Sequence, residues 1–189
     1  MYEYAPTLQK TYTKLFRGFA KFFHETLKMT PNHVSIIAFI LCMVGLGYFY
    51  FQAPTIGLII TLLGLFLDGI DGTIARVYNL KTKLGHIFET VFDGIHEILL
   101  YPVLAAAGYV RWPLAIAAVV IFFILRVWKY KNVTMFDGGF KRFGVIFGYF
   151  LGFEFVLAIT LAWTTFAIFV NILKIIDVRL SKQQGTVHG

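Results

Sequence analysis

The sequence predicts an all-α integral membrane protein, with six transmembrane helices preceded by an amphipathic interfacial helix and both termini in the cytosol. Three observations carry this. Of 189 residues, 58% are hydrophobic and only 14% charged, whereas soluble domains carry about 25% charged residues. Apolar runs of near-spanning length recur along the chain. With six spans, sixteen of the seventeen lysines and arginines fall on one side and only Arg111 on the other. Cytoplasmic loops carry such an excess, so both ends are placed inside.

The interfacial helix covers residues 8–29. Lys10, Lys14, Arg17, Lys21 and Lys28 recur at spacings of 4, 3, 4 and 7, while Tyr12, Leu15, Phe16, Phe19, Phe22 and Phe23 recur at 3, 1, 3, 3 and 1. Both series are helical and occupy separate faces. Such a helix lies in the headgroup region with its cations toward anionic lipids; a soluble amphipathic helix docked on a partner is the plainer alternative. Thr30-Pro31-Asn32 then breaks the helix and turns the chain inward.

The spans follow within a single membrane domain of residues 1–189, whose bundle covers 34–180. Val34–Phe51 is long enough to cross hydrocarbon. Pro54–Leu67 is shorter but can continue as helix into the charged segment beyond it. Residues 85–104 and Pro113–Trp128 give the third and fourth spans. Residues 143–176 are too long for one and divide into two at a tight turn near 157–161. Residues 181–189 read as a flexible tail.

Several classes are disfavoured. The net charge of +7 lies in loops and helix ends, without a zinc or RNA-binding motif, so no nucleic-acid partner is expected. The lone Cys42 forbids an intrachain disulfide. The first 30 residues lack the compact apolar core of a cleavable signal peptide.

Five of the ten acidic residues fall within 68–97: Asp68, Asp71, Glu89, Asp93 and Glu97. Ionisable groups at membrane depth are costly and usually functional. Asp68, Asp71, Gly72, Ala75 and Arg76 share one helical face, and Gly85, Glu89, Asp93 and Glu97 repeat every four residues on another. Consecutive antiparallel helices would bring Asp68, Asp71, Glu89 and Asp93 together near the membrane surface. Four such carboxylates need a compensating charge that Arg76 alone does not supply. Oxygen ligands suit Mg²⁺, Mn²⁺ or Ca²⁺ rather than zinc, and such ions commonly bridge phosphates to carboxylates. Gly72 and Gly85 would admit close approach to the backbone. Helix–helix salt bridging is the plainer reading, weakened because acids outnumber local cations; a carboxylate-lined cation transporter is a third. His96 reads as a packing or hydrogen-bonding residue, and Asp137 and Glu154 call for no special role.

The segment runs Asp68-Gly-Ile-Asp71-Gly72-Thr-Ile-Ala75-Arg76, then eight residues, Gly85, three residues, Glu89, three residues, Asp93. It resembles the CDP-alcohol phosphotransferase family, whose pattern is D-x2-D-G-x2-A-R-x8-G-x3-D-x3-D. Seven of the eight fixed positions match; the third acid is Glu89 instead of Asp, its carboxylate one methylene further out. The interfacial helix, the Thr30-Pro31-Asn32 entry and the six spans also look like the family. The resemblance implies a metal-dependent transferase of phospholipid biosynthesis. It would move a phosphoalcohol group, phosphatidyl or archaetidyl, from a CDP-linked lipid donor to a hydroxyl of a small alcohol or polyol phosphate, releasing CMP. It implies two ions, Mg²⁺ or Mn²⁺, held by Asp68, Asp71, Glu89 and Asp93, with Asp93 also the general base. It implies a nucleotide pocket from Asn32, Asp68, Gly72, Ala75, Arg76 and Gly85, an active site facing the cytosol, and a homodimer. Arg126, Lys129, Lys141 and Arg142 flank the fourth-to-fifth connection, where relatives with phosphorylated acceptors place cations; the positive-inside rule alone predicts cations there too. A soluble CDP-polyol donor, giving a phosphodiester solute, is the alternative within the family.

Overall fold

Thr30-Pro31-Asn32 starts the first long helix, as the sequence predicts. Thr30 is extended at the N-cap, its Oγ1 accepts the His33 N–H at 3.4 Å, its own N–H donates to His33 Nδ1, and Pro31 occupies the first turn. The reciprocal pair satisfies two amide groups that a helix start otherwise leaves bare. The computed structural model describes residues 6–130 and 144–185. Among them every regular element is a helix: α1 (Pro6–Lys21), a π-helical turn (Phe22–Thr26), α2 (Pro31–Tyr50), α3 (Pro54–Val77), α4 (Lys83–Ala106), α5 (Trp112–Tyr130), α6 (Gly144–Leu151) and α7 (Phe153–Gly185). Contacts group the chain into two compact units, Met1–His96 and Glu97–Gly189, the division falling within α4.

In the first unit α2 packs along α3. The face α2 buries is Val34, Ala38, Cys42, Gly45, Leu46 and Phe49, at helical spacing. Small residues set the approach. A Cβ at Gly45 would stand 2.3 Å from Thr61 Oγ1 and 3.0 Å from the Gly57 carbonyl, and one at Gly64 would meet Cys42 Sγ at 2.6 Å. This is how helices associate where lipid removes the usual hydrophobic drive between them. The opposite faces leave Ile40, Val44, Ile59 and Leu63 exposed, as lipid-facing residues are.

Three stripes run along α1 and the π-helical turn that continues it. Phe16, Ala20 and Phe23 pack inward, joining a core of Ala20, Val34, Ile70 and Ile74. Phe16 and Phe19 lie 5.4 and 5.1 Å from the Phe66 ring. Leu15, Phe19 and Phe22 form a second stripe, respectively 71%, 49% and 51% exposed, and Lys14, Arg17 and Lys21 a third, also exposed. An apolar stripe beside a cationic one suits the boundary between hydrocarbon and headgroups.

In the second unit α5 and α6 pack against α7. Arg111 donates from Nε to Glu154. Glu154, given no role by the sequence, thus has a partner at the start of α7. The Tyr109 and Phe153 rings lie 5.4 Å apart, tilted to each other, beside that pair.

Two boundaries differ from expectation. The turn dividing residues 143–176 falls at Gly152, with φ +93°, between α6 and α7, not at 157–161. Residues 181–185, expected in a tail, continue α7; Lys and Gln are good helix formers. Among the described residues three helices are long and apolar enough to cross a bilayer, Pro31–Tyr50, Pro54–Val77 and Phe153–Leu173, and Trp112–Leu125 is a shorter apolar helix.

Candidate functional site

The first two turns of α2 meet the acidic segment of α3 and the start of α4. Ser35 Oγ donates to Asp71 Oδ2 and also lies 3.1 Å from the Pro31 carbonyl. A hydroxyl has one proton to give, and an ionised carboxylate is the stronger acceptor. One turn earlier, Asn32 faces the start of α4. A Cβ at Gly85 would come within 3.2 Å of both Asn32 Oδ1 and Thr82 Oγ1. The Gly85 N–H donates to Thr82 Oγ1 at 3.0 Å, so Thr82 caps α4. Deeper along the same seam, Phe39 of α2 stacks on Phe92 of α4 at 4.4 Å, and Phe92 on Phe88 at 5.5 Å. Glycine at position 85 is therefore a matter of space: α4 begins where α2's amide side chain already stands.

Arg76 is held in the last turn of α3. Its Nη2 donates to Thr73 Oγ1 at 3.2 Å and its Nε to Thr13 Oγ1 on α1 at 3.2 Å. Thr73 is fully buried and passes its own proton to the Gly69 carbonyl at 2.8 Å. A Cβ at Gly72 would lie 3.2 Å from Arg76 Nη1, so this glycine makes room for the guanidinium. Just past α3, Tyr78 donates to Glu25 Oε1 at 2.8 Å and packs on the His24 ring at 4.2 Å. The hydrogen bond to Glu25, then burial and the Glu25 charge, push the Tyr78 hydroxyl above its usual value of 10.0, with Arg17 pulling the other way.

Asp68, Asp71 and Asp93 are half-buried, each in contact with its surroundings. Ala75 is half-buried on the Asp68–Arg76 face. Glu89 is on α4 one turn before Asp93, its side chain outside the described residues. Among the described residues, no group of three or more His, Cys, Asp or Glu is gathered to hold a metal. The donor chemistry nevertheless fits a hard divalent cation, since Asp68 and Asp71 on α3 and Asp93 on α4 offer carboxylate oxygen. Of the expected acceptor cations, Arg126 and Lys129 are on α5 with side chains outside the described residues; Lys141 and Arg142 lie outside them altogether. His96 is buried, as a packing residue should be. Ser35 and Thr13 were not anticipated. Ser35 had one readable signal: it follows Asn32 at i+3, on the same face of α2.

Apolar helices of spanning length, with paired acidic segments at their ends, define a helical membrane protein. The chain belongs to the CDP-alcohol phosphatidyltransferase family, whose model matches residues 28–176. Members generally use divalent metals. It is 32% identical over 87 residues to the archaetidylinositol phosphate synthase of Pyrococcus horikoshii, covering 46% of each chain. It is 28% identical over 118 residues to the phosphatidylcholine synthase of Pseudomonas aeruginosa, covering 60% of this chain and 44% of that one. The chain thus spans about half the length of these curated relatives. Its fold is similar to the crystal structure of Mycobacterium tuberculosis phosphatidylinositol phosphate synthase with CDP-DAG bound, at TM-score 0.62 and 17% identity, over 87% of this chain and 91% of that one.

Proposed function

We propose that this protein transfers a phosphatidyl or archaetidyl group from a CDP-linked lipid to a hydroxyl of a small alcohol or polyol phosphate, releasing CMP. The observation that carries the reading is the contact of α2's first two turns with the acidic segment of α3 and the start of α4, Ser35 with Asp71 and Asn32 beside Gly85. The names of the relatives, synthases of a phosphorylated inositol lipid and of phosphatidylcholine, point to the same reaction class.

In this reading the acceptor hydroxyl gives its proton to the Asp93 carboxylate as its oxygen attacks the β-phosphorus of the donor. The bond from that phosphorus to the bridging oxygen breaks, and the electron pair leaves with CMP. Asp68, Asp71 and Glu89, with Asp93, would hold two Mg²⁺ or Mn²⁺ ions, which neutralise charge on the diphosphate when bound. Ser35, donating to the Asp71 carboxylate, would orient it as a ligand, as hydrogen bonds to metal ligands do. Arg76 contacts the nucleotide diphosphate, and Asn32, Asp68, Gly72, Ala75 and Gly85 shape the pocket around the nucleotide. Arg126, Lys129, Lys141 and Arg142 receive a phosphorylated acceptor. The site faces the cytosol, in a homodimer of six-span subunits. A lipid donor is favoured over a soluble CDP-polyol because α1 presents its exposed apolar stripe beside the helix end that carries Arg76.

The test is CMP release by purified protein with Mg²⁺ or Mn²⁺, offered CDP-diacylglycerol, CDP-archaeol or CDP-inositol with glycerol phosphate or inositol phosphate. Metal-dependent CMP formation from a lipid donor, lost in Asp93→Asn, is expected. CMP formation from CDP-inositol alone would replace the lipid reading with the soluble one, and full activity of Asp93→Asn would remove its role as base.

A further inference from the structure

We infer that Thr13, on the amphipathic helix α1, is a positioning residue for Arg76, so that binding of the nucleotide diphosphate depends on how α1 is seated on α3. The inference rests on the reading of Arg76 as a nucleotide ligand. It goes further because α1 lies outside the segment 28–176 that defines the family match.

An arginine at the end of a helix has several rotamers, and a planar fork recognises a diphosphate only when its plane is set beforehand. Here two hydroxyls on different elements set it. Thr73 holds Nη2 from within α3 at 3.2 Å, and cannot turn away readily because it is fully buried and committed to the Gly69 carbonyl at 2.8 Å. One anchor leaves the fork able to swing about that bond. Thr13 supplies the second, at Nε, 3.2 Å away and 63 residues distant in sequence.

Thr13 can do so only while α1 is docked. It precedes Phe16, Ala20 and Phe23 at helical spacing, on the stripe that packs against α3. Phe16 sits over Gly69, where a Cβ would be 3.4 Å from its ring. Beyond Ala20, Glu25 and His24 engage Tyr78, two residues past Arg76. The seam therefore grips α3 on both sides of the arginine. The other stripes of α1, Leu15, Phe19 and Phe22 and the cations Lys14, Arg17 and Lys21, are exposed. A lipid surface pressing on those stripes holds the packed stripe in place, and with it the acceptor of the Arg76 Nε–H.

The experiment measures binding of CDP with Mg²⁺ to the full chain in liposomes. Thr13→Val keeps the shape and removes the hydroxyl; it should weaken CDP binding by about tenfold, the scale of one hydrogen bond to a charged group. Thr13→Ser should restore most of that loss, and in an Arg76→Ala background Thr13→Val should cost nothing further. Thr13→Val binding CDP like the unaltered protein, while Arg76→Ala loses affinity, overturns the inference and leaves the Arg76 reading intact. So does an equal loss from Thr13→Val in both backgrounds, which marks a merely structural residue. If Arg76→Ala itself binds CDP normally, the reading of Arg76 fails and this inference with it.

Discussion

Ser35 contributes one hydroxyl, and its value depends on what Asp71 does. If Asp71 holds a divalent ion, losing its hydrogen-bond donor weakens the ion's grip; removal of such a partner typically costs about 10–100-fold in metal affinity or activity. Ser35→Ala should therefore raise the Mg²⁺ concentration giving half-maximal CMP release by about tenfold or more, with Ser35→Thr close to the unaltered protein. An unchanged metal requirement in Ser35→Ala would detach this hydroxyl from the metal site. Tyr78 gives a second prediction at this scale. Its hydroxyl titrates above 10.0 chiefly because it donates to Glu25, so folding favours the neutral phenol. That stabilisation is complete below the unfolded value, about pH 10, and disappears as pH rises through the raised folded value. The melting temperature should fall more steeply in alkali than that of Tyr78→Phe; parallel curves would deny the hydrogen bond a part in holding α1. Neither residue stood out in the sequence. Ser35 carries only its place at i+3 from Asn32, and Tyr78, two residues after Arg76, carries no spacing signal; their partners are fixed by packing between elements distant in sequence.

Among the elements, the α2–α3 pair rests on glycine. At Gly45 a methyl would press on Thr61 Oγ1, which can rotate, and on the Gly57 carbonyl at 3.0 Å, which cannot without moving backbone. Gly45→Ala should destabilise the protein by about 1–3 kcal/mol, the usual cost of overpacking, read as a lower melting temperature in detergent; an unaltered midpoint would mean that the helices stand further apart than described. The positions of α2 and α3 were readable because apolar runs, Pro31, Pro54 and Thr30 mark their bounds. The α6–α7 break was not. Length alone divides residues 143–176 near the middle, whereas backbone geometry selects Gly152, where φ is +93° and a side chain would be strained. The three stripes of α1 were legible as periodicity, but which one meets α3 follows from Ala20 fitting against Ile70 and Ile74. No pattern in α1 alone carries that.

At the scale of the molecule, composition and the acidic spacing placed the chain among helical membrane proteins and within its family, and three helices of spanning length and the match to residues 28–176 agree. The spacing over residues 68–93 was strong because it joins two helices, and no single-helix packing requirement reproduces it. The count of ions was never written in the sequence, since it would depend on how closely the carboxylates of α3 and α4 approach, and Glu89 carries one methylene more than the Asp of the family pattern. The central claim is that these carboxylates bind divalent ions together. Its most direct test is Mn²⁺ titration of the purified protein followed by electron paramagnetic resonance. The account predicts two bound ions per chain, at least one of them lost in Asp71→Asn and in Asp93→Asn. A chain that binds no Mn²⁺ beyond what a variant lacking Asp68, Asp71 and Asp93 binds would contradict it.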